Sequence, residues 1–315
     1  MSESNLLPVV VAGHIVLDMF PPLILGEGQP FTDMLIGGQA IEIGPLTVST
    51  GGAVSNTGIS LHRLGVPVYP MGRIANDFLG QEVRHVFERE GLDSSLIARV
   101  EGNSSYTVVL APPGTDRIFL HCPCSNSTFS ADDIAWEAVE RAGIFHLGYP
   151  SLLPMLYADD GKPLADLLKR VKQAGASTSL DMSMAPRNSE SARQDWPRIL
   201  ARATPYIDLM LPSVEEMLFY LRRDLFDALS EQAGKREVLS VVDAEHVMLI
   251  SDILLGMGAK IVGLKAGYKG FYVRTCEAGR FAEFGRVKPA DPANWACREL
   301  WEPGYQPVKI ATATG

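Results

Sequence analysis

Short runs of apolar, largely β-branched residues alternate along this chain with amphipathic stretches, and that alternation constrains the fold more than any other feature. Leu7–Ala12, Val66–Met71, Gly143–Leu147, Ser177–Asp181, Ile207–Leu211, Lys260–Leu264 and Val308–Ala311 read as strands. Their near-continuous apolarity implies burial on both faces. Between them, Asp77–Glu90, Ala131–Ala142, Leu164–Ala174 and Val214–Leu229 carry helical periodicity, and the first three close on Gly91, Gly143 and Gly175. Strands separated by helices predict an α/β fold: a doubly wound, largely parallel sheet flanked by helices.

Two stretches break the rhythm, about 23–49 and 96–129. Short alternating segments there, such as Tyr106–Ala111 and Arg117–His121, flank turn-rich pieces like Pro112-Pro113-Gly114. An antiparallel flap built from these two insertions suits a lid over a pocket; a plain surface extension fits the pattern equally. The 315 residues otherwise read as one domain, with neither an internal repeat nor a low-complexity segment.

Charge and composition exclude several classes of partner. The net charge of −9 is spread out and no basic helix face stands out, so no nucleic-acid partner is expected. A small phosphorylated ligand stays open, because backbone N–H groups and helix N-termini bind anions locally. No apolar run reaches the roughly 20 residues needed to cross a bilayer, and the Met-Ser-Glu-Ser-Asn start lacks a basic n-region, so no membrane association and a cytoplasmic location are expected. Of the four cysteines, Cys122 and Cys124 stand one residue apart, and Cys276 and Cys297 lie far downstream without metal-ligand spacing; all read as buried or idle thiols. The sequons at Asn103 and Asn126 are then chance matches.

Several positions invite chemistry. The first strand runs into Gly13-His14-Ile15-Val16-Leu17-Asp18, which places the Asp18 carboxylate beyond a strand's carboxyl end, where open α/β sheets bind ligands. Asp18 is either an acceptor for substrate hydroxyls or a solvated turn carboxylate. Gly51-Gly52 opens a helix running to about Leu64; glycines admit close backbone approach, and Asn56 offers both a donor and an acceptor, as a polyol requires. The bland alternatives are a turn and an ordinary polar helix residue. Ser213 and Glu216, three apart at a strand-to-helix junction, form a capping box; Glu216 could instead hold a Mg²⁺-bound water. Lys265, Gly267 and Gly270 belong to a strand and hairpin. Walker A, Gly-x-Gly-x-x-Gly, His-Glu-x-x-His and Gly-x-Ser-x-Gly signatures are all missing.

In order, these pieces resemble the ribokinase or PfkB family of carbohydrate kinases over essentially the whole chain. The most specific stretch is Gly51-Gly52-Ala53-Val54-Ser55-Asn56, followed by Leu64-Gly65 and Met71-Gly72-Arg73-Ile74-Ala75-Asn76-Asp77-Phe78-Leu79-Gly80. The resemblance implies ATP-dependent transfer of the γ-phosphoryl group to a hydroxyl of a sugar or sugar acid, with Mg²⁺ bridging phosphates. It implies that Asp18, Gly51, Gly52 and Asn56 grip the sugar, that the two insertions form its lid, and that Ser213 and Glu216 occupy the family's Asn-x-x-Glu motif, serine replacing asparagine. Lys265, Gly267 and Gly270 would line the nucleotide pocket, and Asp181 to Arg187 more loosely matches a loop near the phosphates. A homodimer through the lids is also implied. The alternatives are a nucleoside kinase of the same fold and a sugar-binding protein that has lost transfer.

Some positions depart from the family pattern. Ala75 stands where glycine is common, and 289–307, with Trp295 and Trp301, is longer than usual. In the family a Gly-x-Gly-Asp loop supplies an anion hole and a catalytic base. Gly315 stands at its first glycine, Thr312 replaces an aspartate three residues earlier, and the catalytic aspartate is expected just beyond Gly315. The expectation is a chain clipped at its C-terminus, with little catalysis of its own; a natural pseudokinase is the other explanation.

Overall fold

The computed structural model describes residues 6–26, 31–112 and 117–305. Its strands in chain order are β1 (Val9–Gly13), β2 (Val16–Phe20), β3 (Thr47–Gly51), β4 (Val68–Met71), β5 (Arg73–Ala75), β6 (Ala98–Val100), β7 (Tyr106–Leu110), β8 (Ile118–Cys122), β9 (Ile144–Gly148), β10 (Ser177–Asp181), β11 (Leu209–Met210), β12 (Ile261–Lys265), β13 (Phe271–Thr275) and β14 (Glu299–Glu302). The main helices are α1 (Gly52–Arg63), α2 (Phe78–Arg89), α3 (Trp136–Arg141), α4 (Pro154–Gln173, broken into two helical pieces by the non-helical residues Ala158 to Gly161), α5 (Trp196–Ala203), α6 (Val214–Leu221), α7 (Arg223–Ala233) and α8 (Ala244–Met257).

Eight strands form the central sheet in the order β14-β13-β12-β11-β10-β9-β1-β4. Pairing is parallel from β4 through β12 and antiparallel for β13 and β14. All five residues of β1 and of β10 are buried; β1 is apolar throughout, whereas β10, Ser-Thr-Ser-Leu-Asp, is buried with its polar side chains hydrogen-bonded, as Thr178 Oγ1 is to Tyr206 O at 2.6 Å. The largest apolar cluster joins β9, β10 and β11 to α4 to α8 through Phe145, Leu168, Trp196, Met217 and Leu254. Beneath it sits an ionic cluster: fully buried Asp208 accepts from Lys172 Nζ at 2.7 and 2.8 Å and from the Thr178 N–H at 3.0 Å, while Lys260 Nζ lies 3.8 Å away.

Four strands, in the order β3-β2-β7-β8, make the separate lid sheet. It differs from the expected flap in two respects. It is mixed, since β2 pairs with β7 in parallel and only β2–β3 and β7–β8 are antiparallel. It also starts at Val16: Gly13, at φ +118, ends the first ladder, and the chain passes at once into β2. Asp18 therefore sits mid-strand, opposite Ser49 and Thr107, and not in a turn. Residues 98–100 pair instead with β5, outside the lid.

The expected helix 214–229 is two helices separated at Arg222, and only Trp136–Arg141 of the expected helix 131–142 is α-helical. The 289–307 segment supplies β14, the sheet's edge, with Trp301 packed on Tyr272 and its Nε1 donating to Lys269 O at 2.8 Å. The expected strand Val308–Ala311, with Thr312, Gly315 and the turn residues Pro113 and Gly114, lies outside the described residues.

Candidate active site

Strand β1 pairs with β4 on one side and β9 on the other, so the chain reverses its direction of travel across the sheet at β1. The crevice beyond the carboxyl ends at such a reversal is where open α/β sheets take ligands. Gly13 and Gly148 are register partners there, and α1 begins above them: the Val54 N–H donates to His14 O at 3.2 Å.

The glycine pair is required by contact. A Cβ at Gly51 would stand 2.0 Å from Asp18 Oδ2, and one at Gly52, whose φ is +82°, would stand 2.4 Å from His14 O. The first glycine makes room for a carboxylate, the second for a backbone. Asp18 and Asn56 line one cavity of about 390 Å³ together with Phe20, Ser49, Ser55 and Ser60. Burial pushes the Asp18 carboxyl up to about 6, against the smaller opposing effects of the Thr107 hydroxyl and the Arg117 charge.

Three aromatic side chains not singled out from sequence complete this region. His14 is buried with both ring nitrogens unpartnered among the described residues, its ring centroid 5.4 Å from that of His121 and 5.9 Å from that of Tyr149. Burial, then the neighbouring His121, depresses the His14 pKa to about 3, so the imidazole is neutral. His121 Nδ1 lies 3.1 Å from Thr107 Oγ1, linking it to Asp18's strand partner. Tyr149, at φ 62° and ψ 47°, holds a left-handed conformation rare for a bulky residue. Its hydroxyl meets the Asn56 side chain, and burial followed by the Asp181 charge raises its pKa to about 12. The signal for His14 and Tyr149 was their place, each directly after the carboxyl end of a buried strand.

On the far side of Tyr149, Asp181 ends β10 and accepts from Lys265 Nζ at 2.7 Å across β11. Burial raises the Asp181 carboxyl and Lys265 partly offsets it. Ser213 and Glu216 form the capping box: the Ser213 N–H donates to Glu216 Oε2 at 2.7 Å, and the Glu216 N–H to Ser213 Oγ at 3.2 Å. Glu216 is pushed up to about 7, chiefly by burial and further by the Asp181 charge. Asp181, Ser213, Glu216 and Lys265 are thus brought together, next to the Asp18–Asn56 cavity.

Gly267 and Gly270 stand apart from that cluster in the β12–β13 hairpin, where each has a packing reason. A Cβ at Gly267 would meet Leu239 Cδ2 at 2.8 Å, and one at Gly270 would meet Glu302 O at 1.9 Å. The space above Gly270 is filled by the chain leaving β14.

The pfkB family carbohydrate kinase model matches residues 29–292, and the chain belongs to that family of phosphotransferases. It is 22% identical over 216 residues to an uncharacterized sugar kinase of Archaeoglobus fulgidus, covering 69% of this chain and 73% of that one. Its identity to the 2-dehydro-3-deoxygluconokinase of Bacillus subtilis is 24% over 250 residues, 78% of this chain and 70% of the relative. Among solved structures, Arabidopsis thaliana ribokinase complexed with ribose and ATP superposes with a TM-score of 0.64 at 17% identity, over 98% of this chain and 82% of that one. The fold is thus ribokinase-like. No helix among the described residues is long and apolar enough to cross a membrane.

Proposed function

We propose that the protein transfers the γ-phosphoryl group of ATP to a hydroxyl of a sugar or sugar acid held between lid strand β2 and helix α1. The observation that carries this reading is that Asp18 from the lid and Asn56 from helix α1 line one cavity, which continues along α1 to Arg63 and Glu90. A carboxylate and a carboxamide on opposite walls supply the acceptors and donors a polyol needs. Gly51 leaves the space the Asp18 carboxylate occupies, and Gly52 lets the start of α1 approach the His14 backbone. Closing the lid would exclude water from the reactive phosphoryl group.

For the nucleotide end, Ser213, Lys265 and, by the resemblance, Gly267 and Gly270 are the candidate contacts, with Asp181 beside them. A hard divalent cation suits the donor set in one respect: Glu216 and Asp181 are close enough to raise the Glu216 pKa. Among the described residues no group of three or more His, Cys, Asp or Glu could cage a metal. By the resemblance, Glu216 would hold Mg²⁺ through water, the ion being shared with phosphates and neutralising their charge. By the resemblance, the base that takes the proton from the sugar hydroxyl would be the aspartate of the family's Gly-x-Gly-Asp loop. The lid's edge strand β8 exposes Ile118, Phe119 and Leu120, which supports a homodimer through the lids.

Transfer of labelled phosphoryl from γ-labelled ATP to a panel of pentoses, hexoses, sugar acids and nucleosides by the complete gene product tests this reading. Labelling of a sugar or sugar acid supports it. Labelling of nucleosides alone would point to a nucleoside kinase, and tight sugar binding without transfer to a sugar-binding protein.

A further inference from the structure

Cys122 is the last residue of lid strand β8 and Cys124 the first of the short 3₁₀ turn Cys124–Thr128, with Pro123 between them. Their Sγ atoms lie 2.6 Å apart. Pro123 is exposed at the bend, and Cys124 sits at φ +24. Both thiols are half-buried and so within reach of a small reagent.

The pair occupies the attachment of the lid to the main sheet. Two residues beyond Cys124, the Asn126 side chain brackets Ile15, donating to Ile15 O at 2.8 Å and accepting from its N–H at 3.2 Å. Ile15 lies between β1 and β2, where the central sheet passes into the lid. Ser105 Oγ donates to Pro123 O at 2.6 Å, and Ser125 Oγ to Arg73 O at 2.8 Å. One residue before Cys122, His121 packs on His14. The two sulfurs therefore stand between a lid strand and the clamp that fixes the hinge.

We propose that Cys122 and Cys124 are a redox-active dithiol at the lid hinge, closing to an intramolecular disulfide by exchange with a small-molecule disulfide of the glutathione class. The Cys122 thiolate attacks one sulfur of the small disulfide, whose S–S bond breaks, and the departing thiolate takes up the proton Cys122 gave up. Cys124 Sγ then loses its proton, attacks Cys122 Sγ and displaces the second small thiol. One S–S bond forms as one breaks, and two electrons pass from the protein dithiol to the small disulfide. A ring spanning three residues, with a proline and a left-handed cysteine in it, is strained, and strained disulfides are the readily reduced ones. The couple is thus reversible. Burial, then the hydrogen bond with Cys122, raises the Cys124 thiol to about 11.

The test equilibrates the full chain in buffers of graded oxidised-to-reduced glutathione ratio, alkylates the remaining thiols, and maps them by intact and peptide mass. The expected result is that two of the four cysteines are lost to alkylation together, both in the peptide holding residues 122 and 124, with two hydrogens lost, no retained glutathione, and recovery by a dithiol reductant. Cys122→Ser and Cys124→Ser should each carry a stable glutathione adduct on the remaining thiol. Hydrogen exchange in the peptide containing Ile15 should change on oxidation. All four cysteines staying alkylatable in oxidised glutathione alone, a lasting adduct on wild-type Cys122, or closure elsewhere would each overturn the proposal. The wild-type mapping decides this even where a serine variant does not fold, and its result does not depend on which sugar is bound.

Discussion

Gly51 faces the carboxylate of Asp18 so closely that a Cβ on it would stand 2.0 Å from Oδ2, whereas the same atom on Gly52 would meet the His14 backbone oxygen at 2.4 Å. Two adjacent glycines therefore protect different things. Gly51→Ala should displace a rotatable side chain, weakening sugar affinity about tenfold, roughly 1.4 kcal/mol, with a nearly unchanged melting temperature. Gly52→Ala, at φ +82° against backbone, should cost about 2–3 kcal/mol of stability. Titration calorimetry beside thermal denaturation checks both.

Asp18 carries a testable pH signature. Its folded pKa of about 6 lies above the usual 3.8, so the ionised form is disfavoured in the fold. That cost is absent below the usual value and fully present above about 6. Asp18→Asn should consequently stabilise the free protein above pH 6 by about 1–3 kcal/mol and have little effect near pH 4. Sugar affinity, which needs the carboxylate as acceptor, should fall about tenfold per pH unit below 6 in the wild type and lose that dependence in the variant. Melting curves and calorimetry across pH 4–8 measure the two effects.

Glu216 separates capping from cation chemistry. Glutamine caps as glutamate does and sheds a buried charge, so Glu216→Gln should leave stability nearly unchanged near pH 4 and raise it above pH 7, while Mg²⁺-dependent transfer by the complete gene product falls steeply. Because the wild-type carboxyl is raised to about 7, Mg²⁺ dependence should steepen as pH drops through neutrality. Rate against Mg²⁺ concentration at several pH values is the assay. An unchanged rate would leave Glu216 a cap alone.

Asp208 is fully buried, with Lys172 Nζ at 2.7 Å and Lys260 Nζ at 3.8 Å. Removing one partner of a buried cluster strands the other charges, so Asp208→Ala should lose about 3–5 kcal/mol in denaturant unfolding. Sugar affinity of the protein that remains folded should not change, since this cluster lies away from the cavity.

Much of this was legible in the sequence where the physics is local. Val9–Ala12 is a strand over the residues its apolarity marks, and the Ser213–Glu216 box caps its helix as the spacing requires. The lid's start was hidden because β1 and β2 form one apolar run, interrupted only by the positive φ of Gly13. Strand β14 was hidden for the opposite reason: Glu299–Glu302 is exposed throughout and has no buried face to pattern. Helix 214–229 reads as continuous because the break at Arg222 falls between two stretches of the same periodicity. His14, His121 and Tyr149 meet only through tertiary packing across the lid and sheet, which no spacing in the chain encodes.

The most direct test of the central claim is a calorimetric titration of sugars and sugar acids into the wild-type chain and into Asp18→Ala and Asn56→Ala. At least one polyol is expected to bind, and either substitution to weaken it at least about tenfold, some 1.4 kcal/mol, in a protein that stays folded. Equal affinity in all three proteins would place the substrate elsewhere and contradict the site.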